Sequence, residues 1–310
     1  MLGRLGARRP ETLVGASLGV DAAVVAFDAD SVCVLTTDPI TTATSGAGRL
    51  AVHVVCNDLA VMGAEPVGVL ATLLFPAGVA AETIATLTSD IDAAARELNV
   101  EVLGGHTEIA PGVSAPLVVM TGVGRAPRNR LITAAGCQVG DALVLTRAAA
   151  LEGTCILAND FADRLSSVTP AMLAEALGYA NELSVVADAR RAAALGAHAM
   201  HDPTEGGIVG ATWEMAEASG AGFRLYADRI PIRPATRAIC TALGADPLRL
   251  IASGALLIAC PDGEAMARAL NATVIGQITP STRELIHADG KVEPITTLDR
   301  DELYRLLEQA

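Results

Sequence analysis

Between Gly46 and Pro66 the chain reads GAGRLAVHVVCNDLAVMGAEP, apolar at most positions. Leu50, Ala51, Val54, Val55, Leu59 and Met62 recur at helical spacing and predict one helix, opened by small residues and closed by Gly63. Arg49, His53 and Asn57 fall four apart, so they form one polar stripe along it, with Asp58 beside the stripe. The stripe faces either water or a polar ligand in a cleft. Only about four polar residues in some four turns argue against a solvated face.

The flanking pattern predicts a layered domain. Gly19–Asp28 and Ser31–Asp38 read as two strands of a hairpin, which brings Asp21 and Asp38 to neighbouring ends. A Thr- and Gly-rich loop, 39–47, leads into the helix. Val67–Phe75 is a strand, Ala80–Leu98 a second amphipathic helix, Val100–Leu103 a short strand running into GGHTE, and Leu117–Gly124 another strand. The order β-β-α-β-α-β-β defines an α/β (α+β) domain over residues 1–130. The basic, polar segment Arg125–Gly136 leads to a second domain, 131–310, in which strands and helices alternate from Asp141 to a terminal helix at Asp301.

Half of the chain, 51%, is hydrophobic, which is ample for a packed core. The net charge is −13, and aromatics make up only 3% of residues, so neither the basic patch nor the stacking platform of a nucleic-acid binder is present. An acidic protein that binds a polyanion recruits a divalent cation through its carboxylates, which favours a nucleotide with magnesium. The six cysteines form no CxxC pair, and they read as small core residues rather than zinc ligands. With no apolar leader and no apolar run long enough for a bilayer, a cytoplasmic protein is expected. Lys291 is the single lysine, which excludes the phosphate-binding loop, the protein-kinase strand lysine and the pyridoxal Schiff base. Phosphate handling must use backbone amides, arginine and metal.

Four polar clusters are the candidates for chemistry: Asp21, Asp38, the Asn57-Asp58 pair, and Gly104-Gly105-His106-Thr107. Several aspartates near a glycine loop suit magnesium held on phosphates, and the glycines let backbone N–H groups approach an anion. Each has a plainer reading. Strand-end aspartates cap turns, Gly-Gly after a strand is usually a turn, and a single histidine is usually structural. In the second domain HDPTEGG, from His201, reads as a helix start with Asp202 as N-cap, Pro203 at the first position and Glu205 three after the cap. Gly206 and Gly207 are not explained by that box; two glycines in a first turn imply close approach of a ligand or of another backbone.

Together these motifs resemble the AIR synthase-related (PurM-like) superfamily, over nearly the whole chain. GVDAAVV at Gly19, TTD at Thr36, AVHVVCNDLAVMGAEP at Ala51, GGHTE at Gly104, GD at Gly140, HDPTEGG at His201 and LGADPLRLIASGALLIA at Leu243 carry the resemblance. NDLAVMGA with DPTEGG looks most similar to the hydrogenase-maturation, HypE-like branch.

The resemblance implies an N-terminal α/β domain forming a dimeric β-barrel in a homodimer, and a C-terminal α/β domain. It implies ATP and Mg as cofactors, acting on a small-molecule or carrier-protein substrate whose amide or carbonyl oxygen is phosphorylated. By motif position, Asp21, Asp38 and Asp58 are metal residues. Asn57, Gly104, Gly105, Thr107, Asp202, Gly206 and Gly207 face the nucleotide. Beside that resemblance, Arg49 is read as contacting either phosphate or the partner subunit, and His106 as the candidate catalytic proton-transfer group alongside Asp58. Two departures open alternatives. The chain ends LYRLLEQA without the terminal cysteine of HypE proper, which suggests a nucleotide-binding maturation partner without turnover of its own. His106 stands where kinases of the thiamine-monophosphate type have an acid, and the absence of an N-terminal lysine or cysteine argues against selenophosphate synthesis.

Overall fold

The structure is a computed structural model that describes residues 10–15, 20–26, 30–41, 46–297 and 300–308. Gly19, the far end of the expected first strand and residues 42–45 of the Thr-rich loop lie outside these residues. The chain divides into two compact units, with the break between Leu131 and Ile132.

In the first unit the elements run β1 (Thr12–Val14), β2 (Ala23–Ala26), β3 (Ser31–Ile40), α1 (Ala47–Val61), β4 (Glu65–Phe75), α2 (Ala81–Leu98), β5 (Glu101–Ile109) and β6 (Leu117–Pro127). The strands form one sheet in the order β1-β2-β3-β6-β4-β5. All pairs are antiparallel except β4 with β5. Strand alternation sorts the side chains into two faces. Val32, Val34 and Thr36 of β3, Val69, Ala71 and Leu73 of β4, and Val118 and Met120 of β6 are buried on the side of the helices. The opposite side is open and apolar: Val67 and Leu70 of β4 are 42% and 41% exposed.

β5 is longer than the sequence pattern predicts. GGHTE is not a loop after a strand but the body of an edge strand, exposed along its whole length. Val69 pairs with Val102 and Leu70 with Gly104, so Leu103 is the extra residue of a β-bulge. Gly105 has φ +150, and a Cβ there would run into the Ala71 carbonyl of β4. The glycine thus serves the approach of a neighbouring strand.

In the second unit β7 (Ala142–Leu145), α3 (Leu151–Asp160), α4 (Pro170–Gly178), α5 (Val186–Ala194), β8 (Ala199–His201), α6 (Gly207–Ala218), β9 (Gly222–Tyr226), α7 (Pro234–Leu243), β10 (Leu257–Cys260), α8 (Gly263–Leu270), β11 (Thr273–Thr279), β12 (Arg283–Ile286), β13 (Val292–Pro294) and α9 (Glu302–Leu307) follow in turn. Their sheet runs β13-β12-β9-β11-β7-β10-β8. Ile208 and Met215 of α6 pack on Leu143, Phe223 and Leu257 of this sheet. A second apolar cluster joins Leu157, Ala176, Ile239, Leu303 and Leu306 from α3, α4, α7 and α9.

Here one expectation is corrected. α6 starts at Gly207, not at Pro203, and its N-cap is Gly206 in the left-handed conformation with φ +80. Asp202 therefore does not cap α6. Gly207, at φ +61, is explained by another backbone: a Cβ would lie 2.7 Å from the carbonyls of both Leu248 and Leu250.

Candidate functional site

The polar stripe of α1 does not face water. His53, Asn57 and Asp58 are 1%, 0% and 7% exposed, because α1 is sandwiched between its sheet and α2. The three positions have different surroundings. Arg49, nearest the start, forms an ion pair with Glu97 of α2 at 2.7 Å. Neither ring nitrogen of His53 has a hydrogen-bond partner. Burial pushes the His53 pKa down to about 4, helped by the Arg49 charge and opposed by Glu97. His53 is thus neutral near pH 7.

At the other end of α1, Asp58 meets the sheet. The Thr36 hydroxyl of β3 donates to Asp58 Oδ2 at 2.6 Å and lies 3.4 Å from Asp38 Oδ2. A hydroxyl has one proton to give, and the shorter contact takes it. Two carboxylates thus gather around one threonine. The geometry follows from alternation: Val32, Val34, Thr36 and Asp38 occupy every second place on β3 and face α1. Gly122 of β6, paired with Thr36, leaves room for the helix; a Cβ there would be 3.0 Å from Val55 and 3.1 Å from Leu59. Asp38 and Asp58 thus lie together where β3 meets α1, whereas Asp21 lies just ahead of β2. Hard carboxylate oxygens of this kind are the donors that a divalent cation such as magnesium takes.

The glycine strand does not join them within one chain. Asp38 pairs with Met120, Met120 with Ala71, and Ala71 with Gly105, so Asp38 and Gly105 share a row but stand three strands apart, roughly 14 Å. His106 is paired with Thr72 and lies on the open face, whereas Thr107, paired with Leu73, lies on the helix side. The convergence of His106 with Asp58 is therefore corrected: they lie on opposite faces of the sheet. The His106 side chain is 67% exposed, and its Nε2 is 3.6 Å from Glu108.

In the second unit, Asp202 at the end of β8 is buried, 1% exposed. The Gly206 N–H donates to Asp301 Oδ2 at 2.7 Å, so a carboxylate of the chain itself sits where an anion was expected. His201 Nε2 lies 2.9 Å from Glu214. Sequence reasoning missed Thr36 as a site residue, and read Asp301 only as the start of the terminal helix. The alternation along β3 was the signal for Thr36. Asp301 is distant in sequence from Gly206 and offered none.

A two-sheet α/β chain with a carboxylate pair gathered between its first helix and its first sheet defines a class, and the comparisons with known proteins name it. Residues 19–126 match the N-terminal domain of AIR synthase related protein, and residues 138–288 match the C-terminal domain. The chain belongs to the AIR synthase-related family. A hydrogenase expression/formation protein of Methanocaldococcus jannaschii is 30% identical over 253 residues, 77% of this chain and 72% of the relative. Carbamoyl dehydratase HypE of Cupriavidus necator is 29% identical over 286 residues, 88% of this chain and 78% of that protein. Among solved structures, hydrogenase maturation protein HypE in complex with ATP aligns with a TM-score of 0.78 at 21% identity, over 90% of this chain and 89% of that one. The PurM-like fold and the HypE-like resemblance read from the motifs are borne out. Among the described residues no helix is long and apolar enough to cross a membrane.

Proposed function

We propose that the chain is an ATP- and magnesium-dependent enzyme of the AIR synthase/HypE type, which activates an amide or carbonyl oxygen of a small or carrier-bound substrate by phosphorylation. The observation that carries this reading is the Asp38–Thr36–Asp58 constellation, in a member of this family. ATP would supply the phosphoryl group, and magnesium would neutralise phosphate charge. In this reading the substrate oxygen bonds to the γ-phosphorus as the β–γ bridge bond breaks and ADP leaves. The oxygen then departs as phosphate, through displacement by a nucleophile or through loss of a proton from the substrate. Asp38 and Asp58, with Asp21, would hold the cation. The Thr36 hydroxyl fixes the Asp58 carboxylate, so that its second oxygen is oriented before the cation arrives. Asn57, Gly104, Gly105 and Thr107 would face the nucleotide. Arg49 would do so only by leaving Glu97.

The open apolar face of the first sheet supports a homodimer whose two sheets close into a barrel. A face with Val67, Leu70 and Leu103 at 42%, 41% and 46% exposure is the kind of surface that a partner copy covers. His106 lies on that face, so as a proton-transfer group it would serve a site that a second copy completes.

Calorimetric titration of ATP with and without magnesium, on the wild type and on Asp38→Asn and Asp58→Asn, tests the reading. Magnesium-dependent binding that weakens at least tenfold in both variants is the expected outcome. Unchanged binding in both variants would refute the metal assignment. Magnesium-dependent ATP binding with no ADP formed across a panel of amides and carbamoylated carriers would instead favour a maturation partner without turnover. Sedimentation of Leu70→Glu tests the dimer face, with a shift to monomer expected.

A further inference from the structure

The second unit carries a groove lined by none of the residues assigned above. It runs between α4 and α7 and has a volume of about 630 Å³, within the roughly 300–1,000 Å³ of small-molecule sites. Its origin can be read along α7. Ala235, Ile239, Cys240 and Leu243 belong to the apolar cluster shared with α3, α4 and α9. Pro234, Arg237, Ala238, Thr241 and Ala242 recur at i, i+3, i+4, i+7 and i+8, and this second face lines the groove. Val168 and Met172, at the start of α4, supply apolar surface from the other side.

Both sides of the groove are pinned. Thr169 caps α4 by accepting from the Met172 N–H at 3.3 Å, and Pro170 takes the first helical position. At the start of α7, Arg233 donates to both carboxylate oxygens of Glu182, at 2.7 and 2.6 Å. Its guanidinium lies 4.7 Å from the centre of the buried Tyr179 ring. A groove held in this way is formed before any ligand arrives. Its charge, however, is unbalanced. Arg237 is the one charged residue of the lining, and among the described residues no carboxylate pairs with it. It stands four residues from Arg233 and near the beginning of α7, whose first turn has no acid. A like-charged neighbour and a helix start both disfavour a cation there, and both effects are relieved by an anion.

We propose that this groove binds a small amphipathic monocarboxylate, with its apolar body along Val168, Met172 and Ala238 and its carboxylate on Arg237. The planar guanidinium fork matches a carboxylate, and the apolar lining favours a ligand that is mostly hydrocarbon. One guanidinium balances one negative charge. In a chain of net charge −13, a second negative charge on the ligand would find no partner in the groove. The site lies wholly within the second unit and does not rest on the nucleotide reading above.

Titration of the full chain with octanoate, followed through the methyl NMR signal of Met172, tests the site. A saturable shift with a Kd of about 1 mM or tighter is expected. Arg237→Met keeps the apolar stem and removes the charge. It should weaken octanoate roughly tenfold and leave the binding of octan-1-ol unchanged. Ala242→Trp fills the groove from an exposed position and should abolish both. No saturable shift up to about 10 mM octanoate, or equal octanoate affinity in the wild type and Arg237→Met, would overturn the proposal. So would octanoate binding that survives Ala242→Trp, because the ligand would then sit elsewhere. Octyl phosphate binding more than about tenfold tighter than octanoate would overturn the carboxylate assignment in favour of a phosphate monoester.

Discussion

Two buried helices, α1 and α6, open alike and end in opposite chemistry. Each follows a glycine in the left-handed conformation, Gly46 at φ +69 and Gly206 at φ +80, and each is buried over much of its length. The α1 region places two carboxylates around the Thr36 hydroxyl, a donor set suited to a cation. The α6 region neutralises its own opening turn with Asp301. Their buried titratable groups differ in sign as well. Burial lowers His53, a base, and raises Asp301, an acid. In both cases the low-dielectric interior disfavours the charged form. The lesson is that a Gly-rich helix start is not by itself an anion site. What the chain already places at the turn decides.

The largest effect should come from breaking the α6 turn. Gly207→Val puts a branched side chain at φ +61, with its Cβ 2.7 Å from two carbonyl oxygens and 3.0 Å from the Leu250 nitrogen. None of these is a flexible side-chain end. A loss of about 4 kcal/mol or more is expected in urea unfolding, and failure to express folded protein would agree with it. A loss below about 1 kcal/mol would show that the α6 turn can rearrange, and the contrast with α1 would weaken.

The next effect lies in α1 and depends on pH. The folded state binds a proton at His53 only near pH 4, whereas the unfolded chain binds it near 6.5. Stability is therefore full above 6.5 and is lost as pH falls toward 4. The contribution is about 3 kcal/mol at most. Carboxylates titrate in the same window, so the measurement is a difference: urea midpoints of wild type and His53→Leu against pH. The wild-type curve should drop more steeply below pH 6.5, and parallel curves would refute the burial-driven shift.

These contrasts show how much of the molecule was legible in its sequence. The element order from β2 to β6, and a helix such as α2, could be read because hydrophobic periodicity and end residues agreed, whereas the three-residue β1 ahead of them was not. Asp38 and Asp58 could be read because strand alternation and helix spacing are local rules. The face occupied by His106 could not. In unbulged register Leu70 would pair with Leu103 and His106 would fall on the helix side; the extra residue at Leu103 shifts every later side chain to the other face. The start of α6 was misread for a related reason. Asp202, Pro203 and Glu205 have the residue types of a capping box, yet the left-handed Gly206 and Gly207, the second packed beside the Leu248–Leu250 backbone, set the first turn. Contacts between distant stretches of chain decided both.

A smaller effect sharpens the carboxylate end of α1. Thr36→Val keeps the shape and the β-branching but removes the 2.6 Å hydrogen bond to Asp58. Asp58 is 7% exposed, so its carboxylate loses a donor where water has little access. A loss of about 1–2 kcal/mol is expected. Bound magnesium should recover part of it, because a cation supplies the compensation that the hydroxyl gave. Melting with and without magnesium reads both quantities. If Thr36→Val melts like the wild type, and magnesium shifts neither, the pair is a structural contact only.

The smallest effect isolates electrostatics within α1. Arg49 is partly exposed, and its ion pair with Glu97 contributes little to stability, at most about 1 kcal/mol. Its charge nonetheless acts on His53 one turn away, lowering its pKa, while Glu97 raises it. Arg49→Met keeps the apolar stem and removes the charge. Ring-proton titration by NMR should then show His53 moving upward, and Glu97→Gln should move it further down. Burial is the larger cause, so neither variant should return His53 to its ordinary value. If Arg49→Met alone restored an ordinary histidine titration, the shift would be a charge effect rather than a burial effect. The opposite signs of His53 and Asp301 would then no longer share one physical cause.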